Sequence, residues 1–336
     1  MSADDLVLPI IDLSGYISPE SPEDKDKVIA QVREACGQYG FFLVKGHGVP
    51  LSTQQELIRS LGNFFSMPKE EKVKLSFLKN PCRRGYEASG DSLREGDALP
   101  DSKEVRVSLD SLNCVALTSV NKSFYIGRED PVVEPPGFHG PNLWPDLPED
   151  KFHGPVWDHY EQTSTLGRII WEILLQGLGY TTKLMEGFTK RPIIMMKMIR
   201  YPPLSETRAG QFGVGAHTDF GGVTVLLQQP GKEGLEVWHE GKGEWLAVSA
   251  MEDVYVINCG DMIKKWSGGQ YKSAKHRVIN KGDTERLSCA TFWHGDFGAT
   301  NPLNPNDPNK ETVGQLLLKR FGSQFSLPKE VLATAG

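Results

Sequence analysis

The sequence predicts a mainly β fold with flanking helices, its core a set of antiparallel strands closing into a double-sheet barrel. Three observations lead there. Between about Ile193 and Trp293, short runs rich in β-branched and aromatic residues alternate with Gly, Pro and Asn, the pattern of strands joined by tight turns. The first 180 or so residues carry apolar residues at helical spacing. No internal repeat or low-complexity tract interrupts either part, which sets aside solenoids and disordered arrays. The expected organisation is a mixed helical and β region over 1–180 packing on the core, the barrel over 181–300, and a helical extension over 301–336.

Taken in order, Ser21-Pro22-Glu23-Asp24 opens the first helix. Serine stands at the N-cap, proline where a missing N–H is harmless, and an acid at the third helical position can reach back to the cap. Val28, Val32 and Cys36 then repeat at helical spacing, and Gly37 and Gly40 close the segment. Leu57, Ile58, Leu61, Phe64 and Phe65 mark a second helix ending at Pro68. Trp157, Tyr160, Leu166, Ile169, Ile170, Ile173 and Leu174 mark a longer third, ending at Gly177 or Gly179. These stripes are read as core faces. His47 lies between two glycines, so a tight turn with a structural imidazole is expected there. Asn80 to Gly140, rich in Gly, Pro and charge with few periodic signals, reads as a long excursion that serves a site. Val214 to Leu227 reads as strand, bend and strand, and Leu287 to Trp293 as a further strand.

Composition bounds the function. A hydrophobic content of 39% is enough for a sizeable core, and a net charge of −6 with dispersed Lys and Arg argues against a nucleic-acid footprint. Five cysteines, Cys36, Cys82, Cys114, Cys259 and Cys289, show no Cys-x-x-Cys spacing and read as reduced thiols of an intracellular protein. The acidic start lacks the basic and apolar segments of a signal peptide, and no run is long enough to cross a bilayer. A cytoplasmic protein acting on a small molecule, without nucleic acid or membrane and as a monomer, is expected.

The chemistry concentrates in the barrel region. His217 and Asp219 are two apart, so on a strand both point to one face and can reach one metal ion. His276 arrives from a later strand as the third ligand. Two imidazoles and one carboxylate on one side of a metal leave the opposite positions open, which suits an Fe(II) that binds both a small organic chelate and oxygen. His294-Gly295-Asp296 repeats the spacing, but His294 is the last histidine, and a triad built on it would need its third ligand from upstream. Arg286 and Ser288 share a strand face just beyond His276, and a guanidinium's planar fork suits a carboxylate. Period 2 also puts Lys197 on the face of Tyr201, where an inward lysine is costly unless it meets an anion, so a carboxylate of cosubstrate or substrate is expected beside it.

His217-Thr218-Asp219, His276-Arg277-Val278 and Arg286-Leu287-Ser288, preceded by Tyr201-Pro202, together resemble the isopenicillin N synthase-like family of 2-oxoglutarate and Fe(II)-dependent dioxygenases. The likeness extends through Leu8-Pro9-Ile10-Ile11-Asp12-Leu13, Gly40-Phe41-Phe42, His47-Gly48-Val49, Phe64-Phe65-Ser66-Met67-Pro68 and Arg84-Gly85-Tyr86, and so covers most of the chain. It implies a jelly-roll, or double-stranded β-helix, core. It implies Fe(II) on His217, Asp219 and His276, 2-oxoglutarate on Arg286, Ser288 and Tyr201, and O2 as oxidant. The implied reaction decarboxylates 2-oxoglutarate to succinate and CO2 while a small-molecule metabolite is hydroxylated, desaturated or closed into a ring, as in secondary metabolism. Many members carry an asparagine where this chain has Ile199.

Phe220, Trp293 and Phe297, beside these motifs, are the aromatic candidates for the substrate pocket, and Lys197 and Arg94 the charged ones. Residues 84–90, 140–145 and 200–203 are similar to microbial ethylene-forming enzymes, and the layout to fungal thymine hydroxylases. Where the former place acidic contacts to arginine, this chain reads Asp91-Ser92-Leu93-Arg94, so Arg94 is expected to favour a substrate bearing a carboxylate. Two alternatives stand beside the main reading. One is an oxidase like isopenicillin N synthase itself, which holds a substrate carboxylate with its Arg-x-Ser and consumes no 2-oxoglutarate; the other is a non-catalytic receptor for a small acid on the same barrel.

Overall fold

A computed structural model describes residues 8–88, 122–131, 137–207, 212–279 and 281–325. Strands β1 (Ile10–Asp12), β2 (Phe41–Lys45), β3 (Gly85–Glu87) and β4 (Lys122–Gly127) come from the first half of the chain. The second half supplies β5 (Pro192–Tyr201), β6 (Phe212–His217), β7 (Val223–Gln228), β8 (Leu235–His239), β9 (Glu244–Ala247), β10 (Tyr255–Cys259), β11 (His276–Ile279) and β12 (Arg286–Asp296). Among the described residues they form two sheets, one of order β1-β2-β10-β7-β12-β5-β4-β3 and one of order β6-β11-β8-β9. Every pairing is antiparallel except β1 with β2.

Alternation sorts the large sheet into two faces. Phe42, Val44, Met196, Met198, Val225, Ile257, Cys289 and Trp293 join the main core, which is shared with the helices. Phe41, Leu43, Ile199, Tyr201 and Val256 point the other way and meet Leu235, Val237 and Val278 of the small sheet in a second apolar cluster. The space between the sheets is the interior of the barrel.

The helices form where their capping and apolar periods place them. Pro22–Gln38 carries the expected capping box, with the Ser21 N–H donating to Asp24 Oδ2 at 2.9 Å. Leu51–Ser66 begins a turn and a half before the first apolar residue that marked it and stops ahead of Pro68. The long helix His153–Gly177 lies against the large sheet, where Thr163 and Thr291 share a 2.9 Å hydroxyl contact and Trp293 Nε1 donates to the Ser164 carbonyl at 3.1 Å. His47 is a structural residue: it is buried, its Nδ1 accepts the Val49 N–H at 3.2 Å, and the flanking Gly46 and Gly48 have φ of 60° and 81°. A last helix, Val313–Phe325, lies in the segment read as a helical extension.

One expectation meets a different structure. The stretch from Asn80 to Gly140 is not irregular throughout, because it contains β3 and β4, which pair with each other and extend the large sheet beyond β5. Both strands are short and lack a clean alternation of polar and apolar residues, since one face lines the barrel interior with polar groups. Four of the eight large-sheet strands precede residue 180. No described helix is long and apolar enough to cross a membrane.

Candidate active site

His217 ends β6 and His276 opens β11, and the two are register partners, so the small sheet sets their imidazoles side by side with centroids 4.3 Å apart. Asp219 is not on the strand, as the two-residue spacing presumed, but two positions past its end. The turn is pinned there by the Asp261 N–H, which donates to the Asp219 carbonyl at 2.7 Å. Nitrogens of His217 and His276 and a carboxylate oxygen of Asp219 all lie within 4.8 Å of one another. Each Nε2 is 3.8 Å from Asp219 Oδ1.

The surroundings aim these atoms. His217 Nδ1 lies 2.8 Å from the Gly215 carbonyl and His276 Nδ1 3.1 Å from the Ala274 carbonyl. Both Nδ1 atoms therefore carry the proton and donate, which leaves both Nε2 lone pairs facing the carboxylate. Asp219 Oδ2 accepts from Thr224 Oγ1 and from Asn258 Nδ2, each at 2.6 Å, so only Oδ1 is left toward the imidazoles. Burial pushes the Asp219 carboxyl up, but with no metal bound the positive charge of imidazolium at His276 and His217, and the Thr224 and Asn258 donors, outweigh it and hold the pKa below the ordinary value. Neither donor is singled out by the sequence; Thr224, at the start of the strand that follows the His-x-Asp turn, carries a local signal, and Asn258 on β10 carries none.

Arg286 and Ser288 stand on the inner face of β12, with Arg286 the register partner of Tyr201. The guanidinium lies 4.8 Å over the Tyr201 ring, and its Nε and Nη2 donate to the Lys232 carbonyl at 3.1 Å and Gln228 Oε1 at 3.0 Å. These partners are neutral. Arg286 Nη1 and Ser288 Oγ are buried and have no hydrogen-bond partner among the described residues. Two orphaned donors on one strand face are costly unless an acceptor completes them, and a carboxylate has the shape and charge to do so.

Lys197 is on the inner face, as alternation expects, but the anion beside it belongs to the protein: Glu87 Oε2 is 3.6 Å from its Nζ. Trp293 and Phe297, expected near the iron, are corrected by the same alternation. Trp293 points out of the barrel against Trp171 and Phe188, and Phe297 packs on Phe138 within the helix-side core. Phe220 also packs against that core. The half-buried aromatic on the inner face of β12 is Phe292, register partner of Thr224 and hence close to the Asp219 carboxylate. Counting by two from Arg286 finds Phe292 and rejects Trp293. Arg94 lies outside the described residues. The rival pair also separates: His294 is buried, its Nδ1 accepting the Gly222 N–H at 3.2 Å, while Asp296 Oδ2 accepts the Arg191 N–H at 3.1 Å.

Two imidazoles and a carboxylate between the sheets of a double-sheet barrel, with a buried cationic clamp alongside, define a non-haem metal site of the kind that admits a small acid. The N-terminal profile of non-haem dioxygenases in morphine synthesis matches residues 8–147, and that of the 2OG-Fe(II) oxygenase superfamily matches residues 193–295. The chain is 66% identical over its full length to the 2-oxoglutarate-dependent dioxygenase thnC of Trichoderma harzianum, covering 99% of it. It is 43% identical to the 2-oxoglutarate-dependent dioxygenase caaD of Aspergillus niger, over 98% of this chain and 97% of that one. Its fold matches that of a full-length Neurospora crassa protein solved in complex with alpha-KG, with a TM-score of 0.77 at 23% identity, over 96% of this chain and 98% of that one.

The chain belongs to the 2OG-Fe(II) oxygenase superfamily. It is an Fe(II)- and 2-oxoglutarate-dependent dioxygenase with a jelly-roll core, using O2.

Proposed function

We propose that His217, Asp219 and His276 hold the Fe(II), and that Arg286 and Ser288, with Tyr201 beneath the guanidinium, hold the far carboxylate of 2-oxoglutarate. The observation that carries this is the pair of orphaned buried donors, Arg286 Nη1 and Ser288 Oγ, beside a triad whose free ligand atoms converge. Bound there, iron and 2-oxoglutarate supply oxidative decarboxylation to succinate and the oxidation of an unactivated carbon. The protein's part is positional. The Gly215 and Ala274 carbonyls fix both imidazole tautomers, Thr224 and Asn258 fix one carboxylate oxygen, and the buried clamp keeps water from competing for the cosubstrate. Action in the cytoplasm is supported by Cys36, Cys82, Cys259 and Cys289, all free and buried. A monomer is the simplest state for a sequence without a coiled-coil heptad.

An anaerobic titration of apo-protein with Fe(II) and then 2-oxoglutarate, following the visible charge-transfer band of the chelate, tests the assignment. The band should form, be lost in His276→Ala, and need much more 2-oxoglutarate in Arg286→Ala. Iron binding without a band would leave the oxidase that consumes no 2-oxoglutarate, and failure of both to bind would leave the receptor.

A further inference from the structure

The turn that presents Asp219 is held along its carbonyls by backbone. The Asp261 N–H donates to the Asp219 carbonyl, the Met262 N–H to the Phe220 and Gly221 carbonyls at 3.1 and 3.2 Å, and the Gly260 N–H to the Gly222 carbonyl at 2.8 Å. One amide of the turn goes to a side chain from another strand: the Gly222 N–H donates to His294 Nδ1 at 3.2 Å. A ring nitrogen that accepts from an amide carries no proton, so the proton of His294 is on Nε2.

The fold is shaped to bring that imidazole to the turn. On β12 Trp293 pairs with Ile194 and Gly295 with Ile193, which leaves His294 as the extra residue of a β-bulge. A bulge re-aims the side chain it carries. Gly295 completes it at φ 108°, a conformation that glycine adopts without strain, and a Cβ there would collide with the Phe188 ring. The turn is shaped to match. A Cβ on Gly221 would collide with His294 Cε1 and Nδ1, and one on Gly222 with the Trp293 carbonyl oxygen, so two successive glycines let the backbone lie flush against β12. An apolar side chain in place of His294 could fill the same space, but it would leave the buried Gly222 N–H without an acceptor. The turn would have to shift to satisfy that donor, and Asp219 is three residues back along it.

We propose that His294 is a positioning residue of the metal site: its Nδ1 fixes the Gly221-Gly222 backbone and thereby sets Asp219 Oδ1 against the two imidazoles. This rests on the assignment of Fe(II) to His217, Asp219 and His276. The role is distinct from that of Thr224 and Asn258, which hold the carboxylate itself; His294 holds the main chain that carries it.

The test is an anaerobic Fe(II) titration of apo-protein, followed by 2-oxoglutarate to develop the charge-transfer band, with the Tm of each apo-variant measured alongside. In His294→Asn the amide oxygen can take the place of Nδ1, in His294→Gln the amide reaches the place of Nε2, and His294→Leu keeps only bulk. His294→Asn should hold iron within about threefold of the parent, while the Gln and Leu variants should weaken it about tenfold or more. Val32→Ala, a truncation of a buried side chain in the helix Pro22–Gln38, should lower Tm and leave iron affinity unchanged. Iron affinity within about twofold of the parent in His294→Gln would overturn the proposal, and so would an Asn variant as weak as Gln, or a loss that follows Tm through all the variants, Val32→Ala included. If His294→Leu does not fold, the comparison of Asn with Gln decides. A parent that binds no iron overturns the metal-site assignment itself, and the proposal falls with it.

Discussion

Removing the support of one carboxylate oxygen, while leaving every metal ligand in place, should cost the protein much of its hold on iron. Asn258→Leu keeps the branched shape of a buried side chain, with a modest gain in volume, and deletes the 2.6 Å donor to Asp219 Oδ2. A hydrogen bond to an ionised acceptor is worth about 1.5–3 kcal/mol, and each 1.4 kcal/mol is a factor of ten, so Fe(II) affinity should fall roughly 10- to 100-fold. Two effects add in that direction. Asp219 becomes freer to turn Oδ2 toward the imidazoles, and its carboxylate loses one of the contacts that keep it charged against burial. Thr224→Val, which removes the other 2.6 Å donor with little change of shape, should act alike. Because both donors hold one oxygen, the double variant should depart from additivity by about 0.5 kcal/mol or more. The assay is an anaerobic Fe(II) titration with thermal unfolding of each variant alongside. An iron Kd within about twofold of the parent in a folded Asn258→Leu protein would refute the idea that this contact orients the ligand.

Other outcomes follow from the same structure. His159 is buried between Tyr255 Oη at 3.1 Å and Met196 Sδ at 3.4 Å, and burial lowers its pKa to about 3. The unfolded chain takes up that proton near pH 6.5 and the folded one does not, so stability is complete above pH 6.5 and falls toward pH 3 by up to about 1.4 kcal/mol per unit. His159→Gln should make urea-unfolding free energy less steep between pH 6 and 5 by about one proton; parallel slopes would rule this out. Gly260→Ala would put a Cβ 2.3 Å from the Gly221 carbonyl and 2.8 Å from that of Asp219, so iron binding should weaken about tenfold as the turn is displaced, and an unchanged titration would show that the turn gives way freely. Trp293→Ala should lower stability by about 3–5 kcal/mol, as loss of a fully buried indole does. Phe292→Ala should alter substrate KM with less effect on unfolding, and the reverse pattern would exchange their faces.

The proposed metal triad draws on His217 and Asp219, whose spacing is local, and on His276 from a later strand, and the proposed clamp on Arg286 and Ser288 of one regular strand. What was not legible depends on which strands become neighbours. Thr224 is only five residues from Asp219, but Asn258 reaches it because β7 and β10 pair, a non-local choice that no window around His217 records. β3 and β4 went unseen for a related reason: three and six residues give little periodicity, and Glu87, Ser123 and Tyr125 face a polar interior in place of an apolar one. Trp293 differs in kind. The alternation that places Lys197 beside Tyr201 also separates Trp293 from Arg286, so nearness in sequence to the Arg-x-Ser strand does not bring its side chain inside.

The supports of the proposed triad are divided between the sheets, and on that assignment the division ties metal binding to the closing of the barrel. His217 and His276 belong to the small sheet, while the donors that fix Asp219, Thr224 on β7 and Asn258 on β10, belong to the large one. Asp219 sits in the connection from β6 to β7, with one oxygen toward each sheet. The ligand atoms therefore converge only when the two sheets are packed, and a metal that binds the packed form but not the open one stabilises the packing. At a hundredfold excess over its Kd the gain is about 2.7 kcal/mol. Asn258→Leu should shrink this increment at a fixed iron concentration even if the apo-protein unfolds at the same temperature as the parent. An equal rise in Tm on adding Fe(II) to both proteins would mean that the two halves of the site assemble independently of Asp219's second oxygen.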